Sequence, residues 1–137
     1  MGRIIAIDYG TKRVGLAVTD TLQIISTALQ TIHSNEVVDF LVKYSSQEKV
    51  DTIVVGLPVQ MDGQPSDIET HIQIFLKKLK VQLPAIPIIR YDERYTTKMA
   101  IQTMIDAGYK KKDRREKKHL DSISATLILQ SYLLSIQ

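Results

Sequence analysis

Two short apolar runs near the amino terminus, Arg3-Ile-Ile-Ala-Ile-Asp8 and Arg13-Val-Gly-Leu-Ala-Val-Thr19, are separated by only four residues. Both are rich in β-branched side chains, which suit a pleated surface better than a helix. So short a gap makes the second run the hairpin partner of the first. Gln23 to Ile32 alternates weakly and reads as a third strand. From Ser34 or Asn35 the period changes: Val37, Val38, Leu41 and Val42 recur at helical spacing, with Asn35 placed to cap the helix. Asp51-Thr-Ile-Val-Val-Gly56 is the clearest buried strand, and Leu57-Pro58 ends it.

The second half alternates. Ile68, Ile72, Phe75, Leu76 and Leu79 form an apolar helical stripe, and Ile86 to Tyr91 is a strand running straight into Asp92-Glu93-Arg94. Thr96 or Thr97 then opens a helix to about Ala107, with Gly108 placed to end it, and Leu120 to Ile136 forms a last helix. Strands in close succession followed by alternating helices and strands imply an α/β sheet with an antiparallel edge. At 137 residues, without internal repeat or linker, the chain is expected to be a single domain over 1–137.

Composition removes whole classes. With no Cys there is no disulfide scaffold, cysteine zinc site or cysteine nucleophile. No apolar run approaches the roughly 20 residues that cross a bilayer. Asp8 arrives too early for a secretory leader, so a soluble, cytoplasmic protein with no membrane partner is expected. The 18 Lys and Arg exceed the 15 Asp and Glu, and the excess is concentrated in KKKDRREKKH, residues 110–119. That segment reads either as a solvated surface loop or as a clamp on a phosphate backbone.

Acids stand where strands end. Asp8 closes the first strand and Asp92 and Glu93 close the last, while Asp121 sits near the start of the final helix. Ligands gather beyond the carboxyl ends of parallel strands, so these acids converge if the two strands run parallel and close together. Clustered carboxylates repel unless a cation neutralises them, and oxygen-only donors favour hard ions such as Mg²⁺ or Mn²⁺. One or two such ions suit phosphoryl transfer. Taken singly, Asp8 also reads as a turn residue and Asp121 as an acid complementing a helix dipole. Asp92 and Glu93 also read as partners for Arg90 and Arg94, and strand alternation lets at most one of the two face a shared site. Gly10 with Thr11 and Lys12 fits a phosphate contact or an ordinary hairpin turn. Gly56-Leu57-Pro58 fits phosphate-proximal backbone or a strand terminator. Tyr9, Tyr91, Tyr95 and Tyr109 are available for base stacking or for packing. The three histidines, His33, His71 and His119, are scattered and are assigned no chemistry.

Four motifs in order, Asp8-Tyr-Gly-Thr-Lys-Arg-Val-Gly-Leu-Ala17, Val55-Gly-Leu-Pro58, Asp92-Glu-Arg-Tyr-Thr-Thr97 and Asp121-Ser-Ile-Ser-Ala125, resemble the YqgF family. These are Holliday-junction-resolvase-like proteins regarded as pre-16S rRNA nucleases. The resemblance implies a ribonuclease-H-like three-layer fold. Its mixed sheet would have an antiparallel first three strands and helices on both faces. It also implies metal-dependent phosphodiester cleavage with Asp8, Glu93 and Asp121 as catalytic metal ligands. Lys12, Arg13 and Arg94 then become phosphate contacts, joined by Lys111, Arg114 and Arg115 of the basic segment. The implied substrate is structured RNA, with a role in maturing the 5′ end of 16S rRNA and association with ribosomal particles, as monomer or homodimer. Branched DNA is the competing substrate, and a non-catalytic nucleic-acid-binding module the competing class. The Asp-x-Gly-Thr signature also occurs in actin-like ATPases and sugar kinases, but those enclose nucleotide between two such domains.

Overall fold

The computed structural model describes residues 1–60, 62–64, 66–96, 98–106 and 117–137, with backbone alone for residue 104 and residues 117–121. β1 (Arg3–Asp8) and β2 (Arg13–Thr19) form the expected hairpin, in register from Ile5↔Val18 to Asp8↔Gly15. A Cβ on Gly10 would be driven into the Arg13 carbonyl oxygen, so the turn itself requires glycine there. β3 (Ser26–His33) pairs antiparallel with β2. It starts at Ser26 rather than Gln23 because the Asp20 carboxylate accepts hydrogen bonds from the backbone N–H groups of Leu22, Ile24 and Ile25. Those bonds wrap the segment into a turn, with Gln23 at φ 58°, and hold the Asp20 carboxyl below its ordinary range.

β4 (Val50–Leu57) runs parallel to β1, and β5 (Ile88–Asp92) runs parallel to β4. The sheet order is β3-β2-β1-β4-β5, so β1, β4 and β5 present their carboxyl ends along one edge. β5 begins at Ile88 because the Ile86 N–H is taken by the Leu83 carbonyl in a turn, and Pro87 has no N–H to give.

Helices cover both faces. On one, α1 (Val37–Gln47) and α2 (Glu69–Gln82) bury Val37, Leu41, Ile72, Phe75 and Leu79 against Ile5, Ile7, Leu16, Ile53 and Val55. Among the described residues two helices follow β5: α3 (Lys98–Asp106) and α4 (Lys117–Ser135). On the opposite face α4 buries Ala125, Ile128, Leu129 and Leu133 against Ile4, Ala6, Ala17 and Val54. Alternate residues of one strand therefore feed opposite layers, which is why β1 and β4 are apolar at nearly every position rather than every second one. Each fully buried Ile or Leu in these layers contributes about 1.5–3 kcal/mol relative to exposure.

Two helix starts, those of α1 and α4, differ from expectation. A short 3-10 turn, Ser34–Glu36, precedes α1, and the His33 Nδ1 accepts the Asn35 N–H, so Asn35 is capped rather than capping. Thr96 closes a 3-10 turn at Glu93–Tyr95 by donating its hydroxyl to the Glu93 carbonyl at 3.1 Å, and α3 begins at Lys98. α4 is already helical at Lys117, ahead of the expected Leu120. Thr97, Ala107 and Gly108 lie outside the described residues. Among the described residues no helix is long and apolar enough to cross a membrane.

Candidate active site

Asp8 ends β1 and Glu93 follows β5 directly, yet β4 stands between those strands. What joins the two acids is the glycine of the intervening strand. Gly56 pairs with Tyr91, and a Cβ placed on it would lie 3.1 Å from Glu93 Cδ, 3.2 Å from Glu93 Cγ and 3.0 Å from Ile128 Cδ1. The Glu93 side chain thus lies across β4 in the space a larger residue would fill, and its carboxyl hydrogen-bonds to that of Asp8. Besides standing at the end of β4, Gly56 is the clearance through which one strand end reaches another.

Removal from water pushes the Glu93 carboxyl above its usual range. The Asp8 hydrogen bond and the Arg90 guanidinium oppose that rise without cancelling it, and Asp92 adds to it. Two carboxyl groups this close hold a shared proton or exchange it for a cation. Oxygen donors projecting from rigid strand ends fit a hard divalent ion. Among the described residues no cluster of three metal-ligating side chains occurs, and the Asp121 side chain is outside them.

Asp92 points elsewhere. Its carboxylate accepts the Arg94 backbone N–H at 2.9 Å, Arg94 Nε at 3.1 Å and Arg94 Nη2 at 2.8 Å, which holds the Asp92 carboxyl below the ordinary range. The adjacent acids diverge as strand alternation requires, and Arg94 is anchored close to Glu93. Lys12 and Arg13 are exposed in the hairpin turn just after Asp8. Tyr9 stacks on Phe75 at 4.8 Å, so it is a packing residue of the α2 layer rather than a platform for bases. Tyr91 packs edge-on against both Tyr95 and Tyr132.

Arg90 does not pair with the acids that follow it. Its guanidinium grips Glu69 through two bonds of 2.8 Å and also donates to the carbonyls of Gly56 at 2.9 Å and Val55 at 3.3 Å. This clamp ties the carboxyl end of β4 to β5 and to the first turn of α2, and it holds the Glu69 carboxyl below its usual range. Sequence reasoning missed it. The available signal was an arginine inside an apolar strand, which has to find a buried partner, but nothing local identifies Glu69 as that partner.

Asp121 belongs to α4, and its neighbour Ser122 contacts the Thr31 hydroxyl. Thr31 pairs with Gly15, and Gly15 pairs with Asp8, so Ser122 stands over the row of the sheet that contains Asp8. The side chain of Asp121 lies outside the described residues, as do Tyr109, Lys111, Arg114 and Arg115.

The pattern that defines one family, described as "RuvX: Holliday junction resolvase", matches residues 2–135. The chain belongs to the RuvX family. This is the family to which the four motifs pointed. A relative from Christiangramia forsetii is 53% identical over 97% of this chain and 98% of its own length, and one from Bacteroides fragilis is 50% identical over 97% and 96%. Both bear the name "Putative pre-16S rRNA nuclease". Among solved structures, Thermus thermophilus RuvC in complex with a Holliday junction substrate matches with a TM-score of 0.68 at 13% identity, covering 99% of this chain and 96% of that one. A second Thermus thermophilus RuvC structure matches at 0.62 with 12% identity, over 97% and 96%. At such identities the likeness concerns the fold, which is ribonuclease-H-like as the motifs implied.

Proposed function

We propose that this protein is a nuclease that hydrolyses phosphodiester bonds in structured nucleic acid with the help of a divalent cation. We further propose that its cytoplasmic substrate is the precursor of 16S rRNA, cut during maturation of the 5′ end. The observation that carries the reading is the Asp8–Glu93 carboxyl pair, assembled across Gly56 at the carboxyl edge of the sheet. The names of relatives about half identical to this chain supply the RNA.

Asp8, Glu93 and Asp121 would hold Mg²⁺ or Mn²⁺, which supplies Lewis-acid polarisation of the phosphate and a more acidic attacking water. The protein's own part is positional. Asp8 sits on a strand buried on both faces, and Glu93 lies against Gly56 in the space a larger residue would fill, so neither oxygen donor has to be ordered when substrate arrives. Burial favours the neutral form of Glu93 even with Arg90 nearby, and a bound divalent cation would favour its carboxylate. Lys12, Arg13 and Arg94 surround the pair with positive charge for the flanking phosphates, and Asp92 fixes the direction in which Arg94 presents its guanidinium. Lys111, Arg114 and Arg115 extend that charge along the backbone.

A Holliday junction is the second reading, favoured by the family's description and by the likeness to a junction-bound resolvase. The test offers end-labelled precursor RNA, a four-way DNA junction and linear duplexes, each with Mg²⁺, with Mn²⁺ and with chelator. Metal-dependent cutting of the RNA at a defined position supports the proposal. Paired symmetric cuts in the junction by a dimer would move the assignment to DNA, and no cleavage of any substrate would overturn the nuclease reading.

A further inference from the structure

Beside Glu93, on the outer side of β5, a cavity of about 670 Å³ opens between the 3-10 turn at Glu93–Tyr95, α3 and the carboxyl-terminal part of α4. Its size falls within the ~300–1,000 Å³ range of small-molecule sites. Arg94, Tyr95, Met99 and Ser131 line it. Tyr95 is 61% exposed and Met99 64% exposed, so a ring and a thioether stand open at its mouth. The Tyr95 ring is held edge-on to Tyr91 at 6.3 Å, which leaves it little orientation to lose on binding.

One buried polar group also belongs to its lining. Ser131 is 2% exposed, and among the described residues its hydroxyl has no hydrogen-bond partner. A buried hydroxyl without a partner is costly, and it marks a place where another molecule's donor or acceptor belongs. The wanted occupant therefore has a flat face for Tyr95 and Met99 and a polar edge for Ser131. It also carries negative charge close by for Arg94.

We propose that this cavity receives one unpaired nucleobase of the bound nucleic acid, adjacent to the phosphate held at the Asp8–Glu93 pair. The proposal rests on the nuclease reading and deepens it by giving the site a base to hold. Arg94 and Thr96 follow Glu93 closely in the chain and both line the cavity, so a nucleotide whose phosphate lies at the carboxylates has its base within reach. Stacking on tyrosine is tolerant of sequence, whereas the Ser131 hydroxyl, able to donate or accept, reads the base edge. A substrate held in this way must be unpaired at that position, which selects loops, ends and junction centres over continuous duplex.

The experiment uses the full chain carrying Asp8→Asn to block cleavage, and fluorescence anisotropy with short single-stranded oligoribonucleotides. One oligonucleotide is intact, and the others carry a single abasic nucleotide moved stepwise along the strand. The expected result is one position at which base removal weakens binding by about tenfold. Tyr95→Ala should weaken the intact strand by about the same factor and make the abasic series flat, while Tyr95→Phe keeps both the affinity and the sensitive position. Ser131→Ala should fold normally by circular dichroism and bring the affinities for different bases at that position together. An abasic series that is already flat in the parent overturns the proposal, as does a Tyr95→Ala variant that keeps the sensitive position. Loss of a dimer in sedimentation, with oligonucleotide binding untouched, also overturns it and assigns the cavity to a contact between copies of this chain. Failure of the nuclease reading looks different: the base-sensitive position persists while the unmutated protein cuts nothing.

Discussion

Replacing Gly56 with alanine tests the geometry of the carboxylate pair at the point where it is most constrained. The new methyl would stand 3.0 Å from Ile128 Cδ1 and 3.1–3.2 Å from Glu93 Cδ and Cγ. Optimal carbon contacts lie at ~3.5–4.0 Å, so both neighbours must retreat by about half an ångström. Alanine in a strand is favoured over glycine by about 0.5–1 kcal/mol, whereas overpacking costs about 1–3 kcal/mol. Ile128 yields at the flexible end of its side chain, which places the cost at the low end. The two terms nearly cancel, so a net stability loss of at most about 0.5 kcal/mol is expected by urea unfolding. Catalysis should suffer more, because a 1 Å misplacement costs about 100-fold. Displacing Glu93 by half of that predicts roughly a tenfold fall in single-turnover cleavage at saturating substrate. Ile128→Val, which lacks Cδ1, separates the two effects. Added to Gly56→Ala it should relieve the packing strain while leaving cleavage impaired, since the methyl still presses on Glu93. Cleavage at the parent rate by a folded Gly56→Ala protein would refute the idea that Glu93 must lie in that gap.

Asp8→Asn should abolish cleavage while leaving the melting temperature equal to or above that of the parent, because it relieves the crowding of two acids; cutting at near the parent rate would sink the mechanism. Glu69→Gln should cost about 1.5–3 kcal/mol at neutral pH by weakening the clamp around Arg90. The folded Glu69 carboxyl titrates below its unfolded value of about 4.3, so its contribution is complete above that value and is lost as pH falls through the folded one. The gap between parent and variant in urea titrations should therefore close in acid, and a gap independent of pH would contradict the ion pair. Replacing Lys111, Arg114 and Arg115 with Gln should weaken nucleic-acid binding about equally for all sequences. It should also flatten the log–log salt dependence by about 0.7–0.9 for each phosphate no longer neutralised, whereas identical slopes in filter binding would return the basic segment to a solvated loop. Millimolar Mg²⁺ or Mn²⁺ should raise the melting temperature of the parent and have less effect on Asp8→Asn, as read by scanning calorimetry.

Much of the architecture is written locally. β1, β2 and β4 are legible as β-branched runs, and α2 as a stripe of Ile72, Phe75, Leu76 and Leu79, because period and side-chain shape depend only on near neighbours. The placement of acids at strand ends is equally plain in the chain, and the motifs carried the family resemblance from end to end. Boundaries were less legible where a side chain captured the backbone, as Asp20 does before β3 and His33 does before α1. What the residues alone left open was decided by elements far apart in sequence. Which of Asp92 and Glu93 meets Asp8 turns on β4 lying between β1 and β5 and on Gly56 being the residue at the crossing. Arg90 found Glu69 only because α2 packs beside the parallel strands. The physical reason is the same in each case. Periodicity says which face a side chain occupies, but its partner there is set by strand order and layer packing, which no stretch of the chain contains by itself.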